Sequence, residues 1–398
     1  AFHSLNEIAA NMTKAFLPYT ETLLQLAKEL MQFPYSRKIR KLCIKAVSNC
    51  ITCCTTEEEK GKIMTFIGEQ IVNGFTHNIK SRYLKEVKSY LKYLTLITAN
   101  VNDGKTFTEA FVSKIYECMS EVVKFIDTQK ANILTKVLNA KDEDEDEELL
   151  GEDFDTLSEV SRRVMELSGN FFKIYHESLT ALVTKSLYDS FLSNWQSDLN
   201  RQKFNSSQEV LSAICFFCDY MEHSDLVAFN MFNPIFVDMT YNYKTDNEDI
   251  IQSIVYGYGV ICQKSTVNDF LKVKEKVATV LVNVIQRPLT EENEIAYDNA
   301  VGAMGKLVYY QLTDDETGLN MSGTFMKMLP LKHDLEEGKA VCKELFSQIN
   351  KGNKMVMNEK VFPLMKEAIK RIKEFNDDNK FLEEVEVTLR EICGKLGM

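Results

Sequence analysis

Apolar residues recur along this chain at steps of three and four. After Ser206, the residues Val210, Ile214, Phe217, Cys218 and Met221 fall on one helical face, as do Tyr297, Val301, Met304 and Val308 after Thr290. Phe270, Val273, Val277, Val280 and Val284 keep the same spacing, which a strand of period two would not produce. The pattern predicts helices throughout, in pairs. Start signals accompany the stripes. Ser206 with Glu209, Thr245 with Glu248 and Thr156 with Glu159 each set a hydroxyl three residues before a carboxylate, the spacing of a capping box.

The signals at Ser206, Asn247, Thr290, Asp334 and Asp377 are separated by 41, 43, 44 and 43 residues. A fixed period of roughly 40–47 residues with two helices per unit is that of HEAT and armadillo arrays, whose stacked units share one continuous core. The expected fold class is therefore all-α, a HEAT-repeat α-solenoid of antiparallel helix pairs. Earlier first helices are expected near Ser4 to Leu17, Ser36 to Cys54, Ser81 to Thr98 and Thr156 to His176, giving about eight to ten repeats. With 16 Gly and 6 Pro in 398 residues the chain has fewer turn formers than the roughly 7% and 5% of average chains. No Pro-, Gly- or Ser-rich linker divides it, so residues 1–398 are expected to form a single array. The chain starts at Ala1 without an initiator Met. It is expected to enter mid-array, as the C-terminal fragment of a longer protein, with an exposed first repeat that frays or aggregates.

Charge changes the picture at one place. Between Asp142 and Asp155 lie ten carboxylates and no Lys or Arg: Asp142, Glu143, Asp144, Glu145, Asp146, Glu147, Glu148, Glu152, Asp153 and Asp155. Without them the chain holds 48 acids against 47 bases, so almost the whole formal charge of -11 sits in fourteen residues. Like charges at that density resist packing, and residues 141–155 are expected to form an acidic loop that interrupts the array. One reading is a solvated spacer that aids solubility. The other is functional: a polyanion raises the association rate of basic partners and loses strength with salt. It could equally shield a site for basic cargo as an internal competitor. Asp142 through Glu148, with Glu152 and Asp153, are the candidate contact residues. Direct nucleic-acid binding is not expected, because no basic stripe offsets a pI near 5.2.

Other chemistry is thin. No apolar run approaches the roughly 18 residues of a membrane span, and no membrane insertion is expected. Ten scattered cysteines suit a reducing compartment. Cys50, Cys53 and Cys54 cluster, and Cys215 with Cys218 forms a CxxC, but no second pair or suitably spaced His completes a zinc set. Cys218 is expected in a core beside Phe217. Tyr256-Gly257-Tyr258-Gly259 resembles part of a phosphate loop, yet no strand precedes it and no Lys-Ser/Thr follows, so close helix packing is expected instead. The histidines, His3, His77, His176, His223 and His333, lie far apart in sequence with no paired carboxylate or nucleophile. No catalytic residue, cofactor or metal site is expected, and the chain is not read as an enzyme. A redox or metal role for the clustered thiols would be revived by stoichiometric zinc or a depressed thiol pKa.

Several blocks, in order, resemble the karyopherin-beta (importin-beta) nuclear transport receptors, in particular the C-terminal half of the importin-5 (karyopherin beta-3) branch. They are the acidic run leading into Leu157 and Val160, Met231 to Ile235 with its internal proline, and Val255 to Val260. Asp298 to Lys306 and Leu329 to Glu337 follow. Met328 stands where the branch usually has Trp, and Gly338 where it has Ala. The matched residues read as architecture: Pro330 ends a helix, Asp334 caps the next, and Gly305 permits close helix contact.

The resemblance implies a right-handed superhelix whose inner helices face cargo and Ran and whose outer helices take phenylalanine-glycine repeats of nucleoporins. It implies a receptor shuttling between cytoplasm and nucleus through the nuclear pore, with import cargo released by Ran-GTP. The main Ran-binding repeats of the family lie in the N-terminal half, outside this chain, leaving cargo contact and part of the Ran-linked coupling to this portion. The alternative reading is a cytosolic HEAT-repeat scaffold for assembly of a multiprotein complex, which needs neither Ran nor nucleoporins.

Overall fold

A computed structural model describes residues 13–31, 36–54, 56, 58–63, 65–66, 69, 72–73, 84–98, 108–139, 144–182, 207–379 and 386–397, and among these there is no strand. None of the described helices is long and apolar enough to cross a membrane. The chain divides into two compact units, Ala1–Asp225 and Leu226–Met398.

In the first unit a 3-10 turn at Thr13–Tyr19 leads into α1 (Thr20–Met31) and α2 (Arg37–Asn49), which ends in a second 3-10 turn, Cys50–Cys53. Then come α3 (Leu84–Thr98), α4 (Glu109–Asn139), α5 (Asp144–Leu182) and α6 (Ser207–His223). α2, α3, α5 and α6 stack side by side in that order, and α4 packs against α5. The stack is closed by buried side chains at helical spacing, among them Leu157, Val160, Val164, Leu167 and Phe171 of α5. Tyr116 of α4 is fully buried and donates to the carbonyl of Ser168 at 2.7 Å, which satisfies the one polar atom of a large apolar side chain.

The second unit contains α7 (Leu226–Tyr241), α8 (Glu248–Lys264), α9 (Val267–Leu271), α10 (Lys274–Ile285), α11 (Glu294–Tyr310) and α12 (Glu316–Met328). It ends with α13 (Leu335–Lys351), α14 (Lys354–Met357), α15 (Phe362–Asn379) and α16 (Glu386–Lys395). One layer runs α8, α11, α13, α16, each helix packed on the next; in the other, α7 lies on α10 and α12 on α15. α11 is the hub, touching α8, α10, α12 and α13. That is why it departs from a one-sided stripe: Ala296, Asp298 to Gly305 and Leu307 to Tyr309 are all buried. Small residues make the crowding possible. A Cβ on Gly259 of α8 would lie 3.2 Å from that of Ala303, and one on Gly305 would lie 2.7 Å from the ring of Phe325, which is itself fully buried. The Tyr256–Gly259 stretch therefore serves helix packing, as its context predicted.

Successive repeats also complete one another's helix ends, whose last carbonyls have no partner within the helix. Gln311 donates through Nε2 to the carbonyls of Cys262 and Ser265 at the end of α8, at 2.7 and 2.9 Å. Asn353 donates to the Tyr309 carbonyl at the end of α11 at 3.2 Å. The Arg371 guanidinium donates to the carbonyls of Met326 and Leu329 at the end of α12, at 2.7 and 3.0 Å.

Several expected boundaries move. Asn247 and Asp334 do cap α8 and α13, accepting from the amides of Ile250 and Glu337. Thr156, however, lies inside α5, which begins twelve residues earlier at Asp144. Its partner Glu159 turns outward to Lys88 of α3. Thr245 accepts from the Asn247 amide rather than capping α8, and Glu248 pairs with Arg287. Glu209 is buried in an ion pair with Lys130 of α4 at 2.6 Å, while Ser206 lies outside the described residues. Near Thr290 the helix starts four residues late: Asn293 folds back to accept from the Thr290 amide, and α11 begins at Glu294. Asp377 opens no helix, because the buried run Met365, Ala368, Ile369, Ile372 and Asn376 carries α15 through it to Asn379. The single second helix expected from Phe270 to Val284 is broken at Lys272 and Val273 into α9 and α10, whose buried face is Val277, Leu281 and Val284. Of the helix expected from Ser4 to Leu17, residues 1–12 lie outside the described residues and the rest is 3-10 turn.

If the close approach of α11 to α12 depends on a missing side chain, Gly305→Val drives two methyl groups at a fixed ring and lowers stability by about 1–3 kcal/mol. The urea midpoint of the chain should fall accordingly. Gly61→Ala, where nothing lies within 4 Å of the added carbon, should leave it unchanged or raise it.

Candidate interaction surface

The acidic run is the one sequence-predicted site, and the structure places most of it at the start of α5. Asp142 and Glu143 lie outside the described residues; Asp144, Glu145, Asp146, Glu147, Glu148, Glu152 and Asp153 occupy the first turns of the helix. From Asp144 onward, then, the expected loop is helix. Repulsion argues for a loop, but a helix N-terminus carries a partial positive charge and unpaired amides, so acids are stabilised there more than at any other helical position. Downstream the helix is pinned at once. Leu157 is buried, and Phe154 lies under Lys130, whose Nζ is 4.9 Å from its ring centre and which is also ion-paired to Glu209. Burying this cation between an aromatic face and a carboxylate ties α4, α5 and α6 together just past the acidic turns.

Along the stacked first helices runs a ladder of charged pairs. Lys88 of α3 meets Glu159 of α5, which also lies near Arg162 and Arg163, and both arginines reach Glu166. These cations hold the Glu159 carboxyl below its ordinary range against the opposing effect of burial. Lys173 of α5 meets Asp219 of α6 at 3.0 Å. In the second unit Tyr310 of α11 donates to Glu344 of α13 at 2.5 Å, and Gln348 donates to both. Burial and the Glu344 carboxylate push the Tyr310 hydroxyl up to about 12. A crevice of about 160 Å³ opens beside this network, with Gly302, Gly305 and Phe325 lining it and Gln263, Lys306 and Glu344 supplying polar groups.

The two sequence blocks Asp298–Lys306 and Leu329–Glu337 prove to be one joint. Asp298 Oδ2 accepts three consecutive backbone amides, Lys332, His333 and Asp334, at 3.1, 2.7 and 2.9 Å. Asn299 donates to Asp334 at 2.8 Å, so the residue that caps α13 is itself held by α11. Gly302 leaves room for the Glu337 side chain. Burial pushes the Asp298 carboxyl upward, and the three donors oppose it. Because the carboxylate is acceptor to a whole turn, these residues are architecture.

The histidines are better partnered than their sequence spacing suggested. His333 Nδ1 lies 2.9 Å from Glu294, and the rings of His176 and His223 are 5.9 Å apart. His3 and His77 lie outside the described residues. Cys50, Cys53 and Cys54 are buried and donate through Sγ to carbonyls one turn back. Burial raises the Cys50 and Cys54 thiols to about 12 and about 11, the opposite of a reactive pair. Cys218 is buried as expected, while Cys215 faces solvent, so the CxxC splits between core and surface.

No family model matches the chain. Among solved structures it is similar to those of the karyopherin Kap121p: bound to Ste12p (14% identity, TM-score 0.65), to the SUMO protease Ulp1p (14%, 0.64) and to Pho4p (13%, 0.63). Each match covers 99% of this chain and 36 or 37% of the other, so the chain spans about a third of the length of those proteins. The class defined by the fold is the all-α HEAT-repeat solenoid. The particular solenoid it resembles is that of a karyopherin.

Removing the carboxylate with Asp298→Ala orphans three amides at once, and a loss of about 3 kcal/mol is expected from the denaturation midpoint. A thiol-reactive disulfide reagent should label Cys215 first in the native chain. Cys43, Cys50, Cys54 and Cys342, whose thiols burial raises to about 11 or 12, should react only on unfolding.

Proposed function

We propose that this chain is the cargo-binding part of a nuclear transport receptor of the karyopherin type, and that the acidic start of α5 receives a basic segment of the cargo. The observation that carries this reading is the match of 99% of the chain to a karyopherin fold seen with different bound proteins. The run of acids at the head of one stacked helix adds a recognition chemistry. It concentrates seven acids and no base in the first ten residues of the helix, within a fourteen-residue run that carries nearly all the net charge of the chain. A Lys- or Arg-rich segment docking there would exchange acid–acid repulsion for attraction, gaining most in association rate at low salt. On the same reading the receptor shuttles between cytoplasm and nucleus, passes the pore on phenylalanine-glycine repeats, and releases cargo to Ran-GTP, with Ran held mainly by repeats N-terminal to this chain. A cytosolic scaffold of the same fold would share the architecture and lack the Ran response.

Replacing Asp144, Glu145, Asp146, Glu147 and Glu148 with their amides should slow association of a Lys-rich import segment by about tenfold or more at low salt and flatten its salt dependence. Surface-binding kinetics at two salt concentrations would read this. An unchanged rate would return the run to the role of a solvated spacer. Expulsion of cargo from the longer receptor by Ran-GTP but not Ran-GDP separates transport from scaffolding.

A further inference from the structure

We propose that the α5–α6 ledge of the first unit is a site for a divalent transition-metal ion, zinc in the first instance, with Asp219, Glu222 and His223 of α6 as ligands and His176 of α5 as the fourth. The three α6 residues stand at i, i+3 and i+4, so they project from one face of consecutive turns. One ligand atom from each lies within 4.8 Å of those of the other two. His176 comes from the neighbouring helix, its ring centre 5.9 Å from that of His223 and the ring planes 30° apart. Two imidazoles on one zinc, with bonds of about 2.0–2.1 Å, have ring centres about 5–6 Å apart, so small side-chain rotations bring both nitrogens to a shared ion.

The backbone of α5 is adapted to this place twice. Its dihedrals leave the helical range at Tyr175 (φ -118, ψ 26), immediately before His176, so that the helix changes direction where the histidine meets α6. Two turns earlier Gly169 has no Cβ; one built there would lie 2.7 Å from Asp219 Oδ2, so the glycine lets the carboxylate lie against α5. That carboxylate is largely withdrawn from water, its side chain 18% exposed, and it already holds a cation: the ammonium of Lys173, on a side chain half exposed and able to swing into solvent. A metal ion entering the ledge displaces Lys173 and replaces its charge-assisted contact, together with those the other ligands make, by three or four ligand bonds. The donor set names the ion class. Two imidazoles with carboxylates suit zinc and its neighbours, whereas calcium and magnesium select oxygen alone. Bridging α5 to α6 would fasten the stack at the C-terminal end of α6, where no apolar side chain follows Met221 before the unit ends.

Zinc alone, titrated into the reduced chain against a chromophoric chelator, tests this directly, and cobalt in its place reports the donor atoms. One equivalent of zinc should be withheld from the chelator, and cobalt should give visible d–d bands without the near-ultraviolet band of a thiolate ligand. His223→Ala and Asp219→Asn should each weaken retention at least about tenfold, with circular dichroism showing the fold intact. Lys173→Met leaves every ligand in place and removes the competing ammonium, so it should bind more tightly than the parent. Failure of the parent to retain zinc would overturn the proposal. So would a thiolate band, retention unaffected by either ligand substitution, or binding by Lys173→Met no tighter than by the parent.

Discussion

A helix ends with carbonyls it cannot satisfy, and at three helix ends of the second unit a side chain of the following repeat donates to them. Gln311 serves the end of α8, Asn353 the end of α11 and Arg371 the end of α12, each from 42 to 49 residues further along the sequence. This constraint gives the period its physical meaning. Backbone caps within each repeat satisfy part of these ends, and side chains of the next repeat satisfy more, so the array is joined by hydrogen bonds as well as by a shared apolar core. The Asp298 joint works in the same sense at the opposite end of the helices. A buried carboxylate on α11 takes three amides from the turn that leads into α13.

The same dependence on a neighbour decides where side chains are small. α11 touches five other helices, and only Gly and Ala at the crossings let the backbones approach while the core stays filled. Where the approach is wider, as at the crevice beside Lys306 and Glu344, polar groups at the opening keep the gap from being an exposed apolar patch. On the stacked helices of the first unit, Lys88 with Glu159 and Lys173 with Asp219 pair charge across neighbouring helices. The start of α5 holds seven acids and no base between Asp144 and Asp153, and this density of one sign is what makes it a candidate for a partner of opposite sign.

What could be read in the sequence was whatever is local. Steps of three and four located α6, α10 and α11, and the start signals Asn247 and Asp334 placed α8 and α13, which they do cap. The failures share a cause. Thr156, Glu159, Glu209 and Asp377 carry the side chains of a helix start, but tertiary partners or a continuing apolar face claimed them first: Lys88 took Glu159, Lys130 took Glu209, and the α15 core ran through Asp377. At the acidic run the charge was legible while its backbone was not, because the sequence shows repulsion between acids and does not show that they will meet a helix N-terminus. The meeting of His176 with His223, and of His333 with Glu294, joins residues dozens of positions apart and has no local signature at all.

α11 and α13 are held to each other at both ends: by Asp298, Asn299 and Asp334 where they start, and by Asn353, reaching back to the Tyr309 carbonyl, where they finish. Pulling the pair apart at either end would strip hydrogen bonds from groups withdrawn from water, a cost added to that of parting the apolar surfaces between them. The two helices are therefore set in length register, each fixing where the other begins and ends.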